Sequence, residues 1–296
     1  MPESKPTATS AFDATAPRPV PPIGEQDGTT LARLVGVMRR LLGPGGCPWD
    51  REQTFETLRK YVLEETCEVI DAIDAQDMGH LREELGDLLL QVVFQAELAR
   101  GNAAFGIDDV VAGIVDKLVR RHPHVFADGS AADATEVLQN WERIKIEEAK
   151  EKGGRRVLDG VPRSMPALTR SQRIGEKVSR VGFDWPSSVG SREKVREEIA
   201  ELEVAIDDGE RDAMESELGD ALFALVNLAR HLQIDAEGAL RRTADKFSRR
   251  FSHVEDRVRA LHGGWTNERL PLEVLDGYWD EAKAMEQQFA VSRPPT

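Results

Sequence analysis

From about Thr30 onward the chain places apolar residues at helical spacing. Val62, Thr66, Val69 and Ile73 follow one another in steps of four and three, and so do Leu81, Leu85, Leu88 and Val92. Later, Val195, Ile199, Leu202 and Ile206 repeat the first series, and Leu218, Leu222 and Leu225 continue in the same style. Such steps keep residues on one face of a helix with 3.6 residues per turn. No segment carries a convincing period-two alternation, so the pattern predicts an all-α protein.

Breakers divide this helical text. The stretch EKGGRRVLDGVPRSMP, from Glu151 to Pro166, is the densest in Gly and Pro and marks a domain boundary. The expected organisation is a tail over 1–27, a helical domain over 28–150, a linker over 151–165 and a second helical domain over 166–296. The tail is rich in Pro, Ala, Ser and Thr and lacks both a basic start and an apolar h-region. It is expected to be disordered and to take no part in chemistry.

Laid on each other at a shift of 133 residues, the two halves align five acids: Glu64 with Glu197, Glu65 with Glu198, Glu68 with Glu201, Glu84 with Glu217 and Asp87 with Asp220. Val62, Val69 and Ile73 align with Val195, Leu202 and Ile206, and both halves write ELGD. A tandem duplication of one acidic helix pair is the economical explanation.

A charge cluster on a helix is ordinarily a solvated face, and helical geometry tests that. At about 100° per residue, with Val62 at zero, the apolar stripe covers about 340° to 40°, Glu65 flanks it and Glu64 faces away. Glu84 and Asp87, three apart, share one flank of the next helix. A short connection makes the two helices antiparallel. Four carboxylates then gather at one edge of each seam: Glu65, Glu68, Glu84 and Asp87 in the first half, and Glu198, Glu201, Glu217 and Asp220 in the second.

Composition narrows what such acids do. The net charge of -14 disfavours non-specific contact with nucleic acid or anionic lipid. No apolar run approaches the length of a membrane span. The two cysteines, Cys47 and Cys67, have no metal-ligand spacing and suit a reducing cytoplasm. Pooled carboxylates either protonate or recruit cations, and an oxygen-only set favours Mg²⁺ or Mn²⁺ over zinc. A di-iron bundle would offer Glu-x-x-His, whereas Asp stands third after Glu84 and Glu217. Mg²⁺ with few protein ligands generally serves a phosphate substrate.

The paired acidic motifs, with GCPWDREQTFETLRKYVLEETCEV, ELGDLLLQVVF, VLDGVP, VGFDWP, ELGDALFALVNLARH and DKFSRRF, resemble the all-α nucleoside triphosphate pyrophosphohydrolases of the MazG family. The resemblance runs from about Thr30 to Phe289. It implies hydrolysis of a nucleoside triphosphate to monophosphate and pyrophosphate by metal-activated water attacking the α-phosphorus. It also implies Mg²⁺ dependence and a homodimer whose helices complete four-helix bundles. By the same likeness Glu198, Glu201, Glu217 and Asp220 hold metal, Lys246 and Arg250 bind the triphosphate, Trp279 contacts the base, and Lys194 precedes the glutamates. A metal-bound glutamate is the expected acceptor of the water's proton, and Glu197 is a weaker candidate, because the wheel turns it outward.

The halves are not identical. Lys194 and Asn227, both expected to bind substrate, stand where the first half has Tyr61 and Phe94, although Lys117, Arg121 and Trp141 keep matching places there. The second half is therefore expected to be catalytic, and the first structural, regulatory or weakly active. His122 and His124, separated by Pro123, suit a loop better than a metal site. The competing expectation is a helical regulatory module that retains the acids without catalysis. Retained cations beside the acids favour the enzyme.

Overall fold

The computed structural model describes residues 27–128 and 156–291, except Glu268, and scattered positions between 130 and 148. Most of the tail expected over 1–27, and the first residues of the linker, lie outside the described residues. Among the described residues there is no strand. The chain falls into two compact units, Met1–Glu148 and Ala149–Thr296.

The first unit contains α1 (Leu31–Leu42), α2 (Pro48–Glu52), α3 (Phe55–Ala75), α4 (Met78–Gly101), α5 (Ile107–Arg121) and the short α6 (Pro123–Phe126). The helices α1, α3 and α4 start where side chains satisfy free first-turn N–H groups. Thr30 accepts from the Arg33 amide, Thr54 from that of Thr57, and Asp77 from those of Gly79 and His80. The α3–α4 hairpin is the most extensive pairing of the unit, and α1 packs on α4. Val35 and Met38 of α1, Leu58 of α3 and Val93, Phe94 and Ala96 of α4 form the core with Ile107. Burying Met38 or Leu58 stabilises by roughly 1.5–3 kcal/mol each.

The second unit contains α7 (Ala167–Ser179), α8 (Ser188–Asp208), α9 (Arg211–His231), α10 (Ala236–His262) and α11 (Leu272–Val291). Here α8 and α9 form the principal hairpin, α7 lies on α9 and α10, and α10 pairs with α11. The VLDG segment is tied to α7, because the Lys177 Nζ donates to the carbonyls of Val157 and Asp159 at 3.2 and 2.7 Å. Val254 and Val258 of α10 are buried, as is Ala282 of α11.

The inward faces differ from the sequence expectation. On α8 the buried positions are Ser191, Glu198 and Ala205; on α3 they are Leu58 and Ala72, with Glu65 half-buried between them. These recur every seven residues and centre near about 300° on the wheel, roughly 60° from the expected stripe. Of the expected stripes, Val62, Thr66, Val69, Leu81, Leu88, Val195 and Leu202 are half-buried, whereas Ile73, Leu85, Val92, Ile199, Ile206, Leu218, Leu222 and Leu225 are exposed. In the second hairpin the buried residues are mostly small (Ser191, Ala205, Ala221, Ala224), whereas the first buries Leu58, Val93 and Phe94 beside Ala72.

Candidate active site

Both hairpins turn on one residue in the left-handed conformation: Gln76 at φ 56° between α3 and α4, and Gly209 at φ 73° between α8 and α9. The acids are placed symmetrically about these residues. Glu68 and Glu84 lie equally far from Gln76 along the chain, and so do Glu65 and Asp87; Glu201 with Glu217, and Glu198 with Asp220, repeat this about Gly209. Because each residue advances a helix by about 1.5 Å, partners equidistant from a tight turn reach the same height on the two helices.

Carboxylate oxygens of Glu65, Glu84 and Asp87 converge within 4.8 Å in the first unit, and those of Glu198, Glu201 and Glu217 do so in the second. Glu68 and Asp220, the remaining expected members, stand outside these groups. Desolvation, and like charge after it, raises two of these acids. Burial, together with the charges of Asp87, Glu68 and Glu84, pushes the Glu65 carboxyl above its ordinary range. Glu201 is raised similarly, by desolvation and then by Glu198, with Glu197 and Glu217 adding to it. A donor set made only of crowded carboxylates fits a hard divalent cation, which removes that repulsion.

Glu198 is only 5% exposed. Its charge is met by Lys194, whose Nζ lies 2.6 Å from Glu198 and 2.7 Å from Glu197. Those hydrogen bonds raise the lysine's proton affinity. Glu197 points outward, as the wheel expected. In the first unit the buried Glu84 meets the imidazole of His80 at 2.8 Å instead.

Lys246 and Arg250 lie one turn apart on α10, and Lys246 is exposed. The Arg250 guanidinium is held by Glu286 at 2.7 Å and lies 5.6 Å from the centre of the Trp279 ring. Phe247 packs against the same indole at 4.8 Å. Among the described residues no hydrogen bond or ion pair joins these cations to the acidic group. Asn227 faces the scaffold: its Oδ1 accepts from the Arg230 Nε at 2.9 Å.

Three arrangements escaped the sequence reading. Arg230 also donates to Asp184, in the VGFDWP loop, at 2.6 Å, and His231 approaches that carboxylate at 3.0 Å. Gly175 lets α7 sit against this pair, since a Cβ there would come within 3.1 Å of the Arg230 Nε. In the first unit, Glu97 has a fully buried side chain and accepts from Arg39 at 3.0 and 3.1 Å and from Arg100 at 2.6 Å. Finally, Arg121 meets Glu148 at 2.6 Å and lies 5.9 Å from the Trp141 ring centre, repeating the Arg250–Glu286–Trp279 arrangement. A glutamate seven residues after each tryptophan was the available signal. It is hidden at a shift of 133, because the intervening segments differ in length.

Among the described residues no helix is long and apolar enough to cross a membrane. A family model described as the MazG nucleotide pyrophosphohydrolase domain matches the chain twice, at residues 53–126 and 190–255. The nucleoside triphosphate pyrophosphohydrolase of Escherichia coli (strain K12) is 48% identical over 262 residues, which cover 86% of this chain and 98% of that protein. The nucleoside triphosphate pyrophosphohydrolase/pyrophosphatase MazG of Thermotoga maritima is 44% identical over 259 residues, 88% of this chain and 98% of its own. YabN of Bacillus subtilis, itself uncharacterized, is 42% identical over 91% of this chain and 55% of its own. Both sets of converging acids fall inside the matched segments, and two relatives align over nearly their whole length: the chain belongs to the MazG nucleotide pyrophosphohydrolase family.

Proposed function

We propose that this chain hydrolyses nucleoside triphosphates to monophosphate and pyrophosphate, with the second unit as the catalytic one. The observation that carries the reading is the convergence of Glu198, Glu201 and Glu217 on one hairpin of a chain nearly half identical to a named pyrophosphohydrolase. Glu198, Glu201 and Glu217 would hold Mg²⁺ or Mn²⁺, with Asp220 one turn beyond Glu217. A divalent cation there supplies an acidified water and neutralises phosphate oxygens.

The chain's own residues do the rest. Water oxygen bonds to the α-phosphorus, the α–β bridging bond breaks, and pyrophosphate departs with the bridging oxygen. Glu201, which converges with Glu198 and Glu217, is the acid placed to accept the water's proton. Lys246 offsets charge on the departing phosphates. Arg250 contributes less, being already neutralised by Glu286. Trp279, braced by Phe247, offers a face for the base. Lys194 holds Glu198 in place.

Exposed Ile199, Ile206, Leu218, Leu222 and Leu225 on the α8–α9 hairpin support a homodimer in which a second copy covers this apolar flank. The acidic balance supports a cytoplasmic enzyme that does not bind nucleic acid.

The deciding experiment is a nucleotide panel read for pyrophosphate with and without Mg²⁺. Pyrophosphate and monophosphate should appear in equal amounts, and only with the cation. Release of orthophosphate, or cation-independent turnover, would overturn the assignment.

A further inference from the structure

An open cleft of about 590 Å³ lies in the first unit among α1, α2, the start of α3 and the end of α4. Three arginines line it: Arg39 of α1, Arg51 of α2 and Arg100 of α4. The buried Glu97 accepts from Arg39 Nε and Nη2 and from Arg100 Nε. Arg39 Nη1 and both terminal nitrogens of Arg100 make no hydrogen bond among the described residues, and both side chains are about half exposed. Arg51 is exposed and, among the described residues, forms no side-chain hydrogen bond or ion pair. Glu56 also lines the cleft, with its carboxylate met by its own backbone N–H and by Thr54.

The scaffold does not require this surplus of positive charge. At the 133-residue shift, Gln172, Arg230 and Gln233 stand for Arg39, Glu97 and Arg100. There Arg230 meets Asp184 at 2.6 Å, one positive charge against one negative. The same corner of the first unit sets three arginines against two glutamates. Like charges gathered in one depression repel, and an anion removes that cost. A guanidinium presents paired donors that match phosphate and carboxylate oxygens. Donors arriving from three separate helices suit a tetrahedral group better than a planar carboxylate, which a single fork satisfies. The volume falls within the roughly 300–1,000 Å³ of small-molecule sites, well above what one phosphate fills, and Leu42 and Leu98 supply an apolar wall.

We propose that this cleft binds a small phosphate-bearing molecule, its phosphate held by Arg39, Arg51 and Arg100 and its organic body laid against Leu42 and Leu98. The site is separate from the acidic groups: Arg100 follows Asp87 on α4 by about 20 Å along the helix. It needs no divalent cation and does not depend on the reading of those acids.

The test uses the full chain in the presence of a chelator, so that no metal-borne phosphate site contributes. Phenyl phosphate, inorganic phosphate and benzoate are titrated by calorimetry. Phenyl phosphate should bind, and Arg51→Ala should weaken it by about tenfold or more through loss of one charge-assisted contact. Arg51→Glu should abolish it. Because Arg51 is exposed, both variants should keep the thermal midpoint of the unliganded chain. Lys246→Ala, in the second unit, should leave the affinity unchanged. Phenyl phosphate should bind more tightly than inorganic phosphate, because only the former reaches the apolar wall. Equal affinity for these two, benzoate binding as tightly as phenyl phosphate, absence of binding at millimolar concentration, or an affinity indifferent to Arg51 overturns the proposal.

Discussion

Positions 97 and 230 are equivalent under the 133-residue repeat, yet one is Glu and the other Arg. Each is a paired charge near the end of the second hairpin helix, Glu97 fully buried and Arg230 half-buried. Burial works against Glu97, but Arg39 and Arg100 hold its carboxyl below the usual range. Asp184 is likewise penalised by burial and lowered by Arg230. The sign of the paired charge has reversed while the hairpin acids around Gln76 and Gly209 have kept their spacing. An ion pair keeps its energy when its members are exchanged, whereas the proposed set of cation ligands would not tolerate a change of sign. The two units thus separate what the scaffold needs, paired charge, from what chemistry needs, carboxylate oxygens at fixed heights.

The comparison breaks most sharply at these pairs. Glu97→Ala should cost about 3 kcal/mol, because two guanidinium groups lose the carboxylate that orders them. Arg230→Ala should cost less, about 2 kcal/mol, because Asp184 lies at the surface and water can replace the guanidinium. Chemical denaturation of each variant checks this, and a loss below about 1 kcal/mol at either site would mean that the inverted pairs are not equivalent.

Next come the acids themselves. Glu198→Gln should lower pyrophosphate release by on the order of 100-fold or more. Its counterpart Glu65→Gln should change it by less than about twofold if the second unit carries turnover. Equal losses would make the units catalytic partners.

Acid sensitivity divides the third arrangement. Hydrogen bonds from Arg121 and Arg120 lower Glu148 to about 2. Its folded pKa is depressed, so its stabilising contribution is present above the unfolded value near 4.5 and lost as pH falls toward 2. Glu148→Gln should therefore destabilise the chain at pH 7 by roughly 2 kcal/mol, discounted for the half-exposed Arg120. The gap from the unsubstituted chain should close across that acid window in a pH series of thermal midpoints.

Smallest of all should be Glu286→Gln. It releases Arg250 from a partly exposed ion pair worth under about 1 kcal/mol. A KM lowered by a few-fold at constant kcat would identify Arg250 as a cation restrained by its partner. A fall in kcat would instead make Glu286 a positioning residue.

The helical class and the acidic hairpins were legible because both are periodic: apolar steps of three and four set the helices, and a repeat at one shift set the acids. The identity of the inner face was not. A rule that turns large aliphatics inward selected Ile199, Ile206 and Leu222, whereas the second hairpin buries Ser191, Ala205 and Ala221. Small side chains carry little weight in a hydrophobic pattern. Asp184 and Glu148 were hidden for another reason. Their partners are far away in sequence, and one loop aspartate or helix glutamate looks like any other until the fold supplies an arginine.

The short turn at Gly209 acts as a caliper. One residue added between it and Glu217 would rotate α9 by about 100° relative to α8, carrying Glu217 and Asp220 off the shared edge while leaving the helix itself intact. Lineages of this fold can therefore vary the lengths of their outer loops freely, but any change in the hairpin joint must be accompanied by a compensating deletion within the next turn.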